Sequence, residues 1–279
     1  TIYISNSATT SSCGGFVAGV FLANINGVCN INSTDLSTAL TAGNVTLQAA
    51  GVSVSDNTVG GIRMDSSALI SENSSSTRTL TLKLNNTFQL ISGARIVSTA
   101  GALNFVVFAN FDNSNGGAIK IDGTASTYAI ETNGGHVFFG GGSGTTTWNS
   151  LTVPSGYASG IAGNSGTPPW WGLELGVNTD IAAQKLIKTS NGSFKALSIS
   201  SAASGVSLLY GIAWESGIID LGSGTLTLDG QTSGSPSVAT NDNFGVGIGV
   251  NRSTSNDVPK LVTSQPVSIS GSVGTAGTS

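Results

Sequence analysis

The feature that most constrains this chain is a succession of apolar or alternating runs, each about five residues long and each closed by Gly, Asn, Asp or Ser. NVTLQ at 44–48, GVSVS at 51–55, TLTLKL at 79–84, FQLIS at 88–92 and RIVST at 95–99 open the series. LNFVVFA at 103–109, AIKID at 118–122, YAIET at 128–132 and HVFFG at 136–140 continue it. Later members are 197–201, 217–221, TLTLD at 225–229, FGVGIGV at 244–250 and VSIS at 267–270. Alternation with period two, bounded by turn formers, predicts short β-strands. A helical period is hard to find. TDIAAQKLIK at 179–188 is the one candidate, and 33–40 offers a weaker single turn.

Several runs repeat as phrases: GNVTLQAAGVSVSDN, STRTLTLKLNNTFQLISGARIVS and GSGTLTLDGQTSG. Self-similar strand-turn units predict a β-solenoid, in which no coil buries its apolar residues alone and stacked coils share one core. A β-sandwich is the alternative, since it too reads as many short strands. The solenoid is favoured by a small inward set of Val, Ile, Leu, Thr and Ala with Gly and Asn at corners. Coils of about 20–25 residues would give about 12 turns and a rod about 55–60 Å long. The expected organisation is one all-β domain over 1–279, with a Cys-containing N-terminal part at 1–40. Two stretches break the rhythm: a Gly- and Trp-rich loop region at 140–176 and a polar loop at 231–243.

Charge is scarce: 10 Lys and Arg plus 14 Asp and Glu in 279 residues, a net charge of −4. No basic block exists to hold a nucleic acid. The apolar runs at 16–23 and 103–111 are far shorter than a membrane span, so no transmembrane helix is expected. Irregular Gly spacing excludes collagen, and 39% hydrophobic residues argue against simple disorder. The chain begins at Thr1 and its one Met is Met64, so it reads as a processed product or a segment of something longer. Cys13 and Cys29 are expected to form a disulfide worth about 3 kcal/mol, with buried free thiols as the alternative.

The phrases GNVTLQAAGVSVSDN, YAIETNGGHVFFGGG and SGIIDLGSGTLTLDGQTSG resemble the repeats of filamentous-haemagglutinin-type large exoproteins, passengers of two-partner secretion and related autotransporters. The resemblance covers roughly 40–145 and 195–250. It rests on repeat style, because that family has no catalytic signature. It implies a right-handed parallel β-helix, export to the bacterial cell surface, and a role in adhesion, aggregation or surface architecture.

Parallel β-helices also host pectin-degrading enzymes, which makes catalysis a question for individual residues. Asn178, Thr179 and Asp180 are similar to the first acidic motif of the polygalacturonases, but no Asp-Asp pair follows, and His136 lies upstream. The ten Asp are too scattered to suggest a calcium-dependent lyase. No G-x-S-x-G elbow accompanies His136, which reads as a strand-end imidazole with a satisfied hydrogen bond. GGGSG at 140–144 lacks the Lys of a phosphate loop and reads as a flexible turn. No catalytic residue, metal or cofactor is expected.

What remains is contact. Trp148, Tyr157, Trp170 and Trp171 are candidate contacts for a glycan or protein partner, against the plainer expectation that some cover a core edge. The ends offer uncharged strands, so Ile2, Tyr3 and Ile4 at one and Val267 and Ile269 at the other are candidate end-to-end contacts. The sequence-level expectation is a non-catalytic extracellular adhesive or structural module, with host or neighbouring-cell glycans or proteins as partners. A self-assembling filament subunit is the alternative, and a carbohydrate-active enzyme stands third.

Overall fold

The computed structural model describes residues 1–10, 14–23, 28–49, 61–113, 116–162, 171–177, 184–202, 208–233, 242–249 and 258–274. The chain enters at β1 (Ile2–Ser5), turns through the hairpin of β2 (Phe16–Val17) and β3 (Val20–Ala23), and crosses to β4 (Cys29–Asn32), α1 (Ser33–Ala42) and β5 (Val45–Ala49). Two three-strand coils follow: β6 (Ile62–Met64), β7 (Leu69–Glu72), β8 (Arg78–Leu84), then β9 (Phe88–Leu90), β10 (Arg95–Ser98), β11 (Leu103–Ala109). The next is β12 (Ile119–Ile121), β13 (Ile130–Glu131) and the long β14 (Val137–Trp148), after which β15 (Leu151–Gly156) and β16 (Ala158–Ala162) are inserted. Three more coils complete the stack: β17 (Leu173–Leu175), β18 (Lys185–Lys188), β19 (Phe194–Ala202); β20 (Leu208–Trp214), β21 (Ile218–Gly222), β22 (Leu226–Ser233); and β23 (Asp242–Ile248), β24 (Lys260–Thr263), β25 (Val267–Gly274).

These strands form three sheets, each pairing parallel from coil to coil. The first runs β23-β20-β17-β12-β9-β6-β1-β4, the second β24-β21-β18-β13-β10-β7, and the third β2-β3-β5-β8-β11-β14-β19-β22-β25. The fold is therefore a parallel β-solenoid. Eight strands in the first sheet at about 4.8 Å apiece make a stack about 35 Å long, so twelve turns was an overcount. Strand phrases recur faster than coils do, because each coil spends three of them.

Register explains the core. Phe21, Leu47, Leu82, Val107, Phe139, Ala196, Leu228 and Ile269 lie one above the next on the third sheet. Ile70, Ile96, Ile130, Ile187, Ile219 and Leu261 do the same on the second. One methyl-rich column per sheet face buries most of its side chains completely, at about 1.5–3 kcal/mol for each large apolar residue. Phe105, Phe139 and Phe194 add edge-to-face contacts, with ring centroids 5.9 and 5.3 Å apart.

The corner between the second and third sheets has its own signature. STAG at 98–101, TNGG at 132–135 and TSNG at 189–192 stack there, and the hydroxyls of Ser98, Thr132 and Thr189 donate to the carbonyls of Gly101, Gly135 and Gly192. A Cβ at Gly192 would collide with the Gly135 carbonyl, and one at Gly224 with the Gly192 carbonyl. The backbones approach so closely that only glycine fits.

Helix α1 is longer than the single turn expected. Asn32 caps it by accepting from the Thr34 N–H at 2.8 Å, and Leu36 and Leu40 are buried one turn apart. The stronger helical candidate, 179–188, is corrected over its second half: Lys185–Lys188 is β18. Ladder pairing on both sides, to β13 and β21, outweighs the local apolar spacing there. Its first half, at 179–183, and GVSVS at 51–55 lie outside the described residues.

Candidate functional site

Three places could carry function: the outer face of the third sheet, the outer face of the first, and the two ends. On the third sheet Val106, Phe108 and Phe138 point outward from consecutive coils, which is why LNFVVFA reads as continuous apolar sequence and is buried on both faces. The hairpin β14–β15 folds over them and places Val153 against that patch, with Trp148 and Leu151 at its margin. Asn149 and Ser150, at φ of 47° and 62°, form its turn. GGGSG thus lies inside β14 rather than in a flexible turn.

Trp148 stacks edge-on against His136 and Phe138, with centroids 5.4 and 5.3 Å away. His136 Nδ1 accepts from the Ser193 N–H at 3.0 Å, and burial lowers its pKa. Tyr157 donates to Asp229 at 2.8 Å, and burial, followed by that bond, raises its hydroxyl to about 12. Trp171 packs edge-on against Tyr210, which stacks flat on Phe244, both at 5.3 Å. The expected aromatic contact residues are therefore not gathered into one patch: Trp148 and Tyr157 brace the third sheet, and Trp171 belongs to a column ending at the last described coil. Trp170 lies outside the described residues.

On the first sheet Tyr3, Arg63, Gln89, Lys120 and Glu174 form one outward column. Lys120 Nζ lies 2.7 Å from Glu174 and 3.9 Å from Asp122. All three side chains are largely covered. Burial raises Asp122 to about 6, offset by Lys120 and reinforced by Glu174, and burial also raises Glu174. Desolvation lowers the Lys120 pKa, and Glu174, Asp122 and Glu215 together outweigh it and raise it. Sequence reading missed this group because Lys120 and Glu174 are adjacent only through coil stacking. No group of three or more His, Cys, Asp or Glu placed to hold a metal occurs among the described residues.

The ends differ. β1 lies between β4 and β6, so Ile2 and Ile4 are 0% exposed. Those two do not form an end surface, and that expectation is corrected: the chain starts one layer in, climbs to β3 and β4, and returns through α1. Tyr3 is half-buried on the side of the stack. The edges of the first two sheets are covered here. The β4 edge is covered by Thr10, whose N–H donates to the Asn30 carbonyl at 2.9 Å, and by Thr9, whose Oγ1 accepts from the Asn32 N–H at 2.9 Å. The β7 edge is covered by α1, with Ser37 Oγ accepting from the Ser71 N–H at 2.9 Å. The third sheet ends in the antiparallel hairpin β2–β3. Cys29 is buried in the β4 column, and Cys13 lies outside the described residues.

At the other end β23, β24 and β25 are each the last strand of their sheet. Val267, Ile269 and Val273 occupy the inward column of β25 yet are 44%, 46% and 51% exposed. No family model, no curated protein and no solved structure matches this chain.

Proposed function

We propose that this chain is a non-catalytic extracellular module of a bacterial surface or secreted protein, serving adhesion and surface architecture. The observation that carries the reading is a stack of coils whose first two sheets are covered at one end, with the Lys120 ammonium held between two carboxylates on its side. Such a body presents hydroxyl and amide groups over its faces and suits contact with the surface glycans or proteins of host or neighbouring cells. The test is binding of the purified chain, immobilised on beads, to a glycan panel and to epithelial and bacterial cells. Saturable binding supports the reading; a folded chain that binds none of them overturns it.

A carbohydrate-active enzyme is the second reading, drawn from the two carboxylates on adjacent coils. It is the weaker one, because the Lys120 ammonium sits between the acids where a glycosidic oxygen would have to lie. Release of reducing ends from polysaccharides, abolished by Asp122→Asn, would promote it over the adhesive reading.

A further inference from the structure

We propose that the outward column of the first sheet holds a binding site for a neutral sugar ring, built from Tyr3, Arg63 and Gln89. The proposal rests on the adhesive reading and names where on the stack a glycan is held. Tyr3 lies beside Arg63, and Arg63 beside Gln89, on the consecutive rungs β1, β6 and β9, so the three side chains leave the sheet about 4.8 Å apart. With Thr87 they line one recess of about 260 Å³, open to solvent. Pockets for drug-sized ligands begin near ~300 Å³, so this one suits a single ring.

The rungs on either side are already spent. Next to Tyr3, the Asn30 amide donates to the Ser7 and Ala8 carbonyls at 2.7 and 2.9 Å. Next to Gln89, Lys120 is held by Glu174. Between them, the Tyr3 hydroxyl and the Gln89 amide have no hydrogen-bond partner among the described residues. Arg63 is exposed, and its ion pair to Asp65, at 3.4 Å, runs through Nε, which leaves its Nη groups to donate elsewhere.

This set matches the chemistry of a sugar. Hydroxyls donate and accept at once: the Arg63 Nη groups donate, the Asp65 carboxylate accepts, and the Gln89 amide does both. The Tyr3 ring adds an apolar face for the C–H side of a pyranose. Charge selects a neutral ring. Asp65 compensates Arg63, and Asp122, which also feels the Arg63 charge, lies on the same face with Glu174, so a carboxylate-bearing sugar would meet acids there.

The test is titration of the isotope-labelled 279-residue chain with the methyl glycosides of glucose, galactose, mannose and N-acetylglucosamine, with methyl glucuronide as the anionic comparison. At least one neutral glycoside should shift the Gln89 side-chain amide saturably and bind more tightly than the glucuronide. Affinities read from saturation transfer to the sugar should fall about tenfold in Tyr3→Ala, and Tyr3→Phe should stay within about twofold. Gln89→Ala should weaken binding about fivefold, with the melting temperature of each variant confirming the fold. Absence of binding by every neutral glycoside overturns the proposal, as do shifts that bypass Gln89 or a glucuronide that binds best. If a Tyr3→Ala, Gln89→Ala double variant still binds glycan panels and cells as the unaltered chain does, the adhesive reading stands and this site is removed.

Discussion

β1 and β25 are similar strands in different circumstances. IYIS and VSISGSVG both alternate, both lack charge, and both stand near one extreme of the sequence. Yet Ile4 is flanked by Ile31 and Met64 on neighbouring rungs, while Ile269 has Leu228 below it and no described rung above. Burial is therefore a property of the rung and not of the strand's composition. The difference arises because the first forty residues are spent folding a lid from the Thr9–Thr10 segment, a hairpin and α1. Nothing described plays that part beyond β25.

The largest expected consequence is a gap in sensitivity between equivalent substitutions. Ile4→Ala should cost about 2–5 kcal/mol in urea unfolding, because the removed methyls leave a cavity between two fixed rungs. Ile269→Ala, on a half-exposed site, should cost under about 1 kcal/mol in the monomer. Equal costs would mean that the terminal rung is packed as tightly as an inner one. The comparison would then fail.

How much of this was legible beforehand follows the same division. Alternation and turn residues located most of the strands, since those signals are local. The outward apolar face of β11 was visible in LNFVVFA, but nothing local says that a hairpin from the next coil covers it. The corner motif was in plain view as STAG, TNGG and TSNG. Its meaning came only with stacking, which sets Gly192 against the Gly135 carbonyl. Lys120 and Glu174 could not be paired without the register of β12 on β17. β1 was read correctly as a strand and wrongly as an end, because chain order does not reveal that β3 and β4 fold back above it.

A medium effect belongs to the middle of the stack. Asp122 titrates near 6 in the fold, above its value of 3.8 in an unfolded chain. The folded state thus holds the proton more tightly. Its stabilising contribution is complete below about pH 4 and is lost as pH rises through 6, by about 1–3 kcal/mol. Asp122→Asn should flatten this slope in thermal or urea unfolding. A variant whose stability still falls between pH 4 and 6 would show that another group sets the slope.

The smallest expected effect tests the lid itself. Thr9 Oγ1 accepts from the Asn32 N–H and donates to Asp35 at 2.6 Å, so Thr9→Val removes an acceptor from the β4 edge and a partner from the first turn of α1. The loss should be about 1 kcal/mol, the usual net value of the bond to Asn32, because the exposed Asp35 carboxylate turns to water instead. Global unfolding will barely register it. Amide exchange at Asn32 should accelerate about fivefold, as expected from that free energy, while amides in β8 and β11 keep their protection. Unchanged exchange at Asn32 would mean that Thr9 does not guard that edge. The cover over the first coils would then rest on α1 and the hairpin alone.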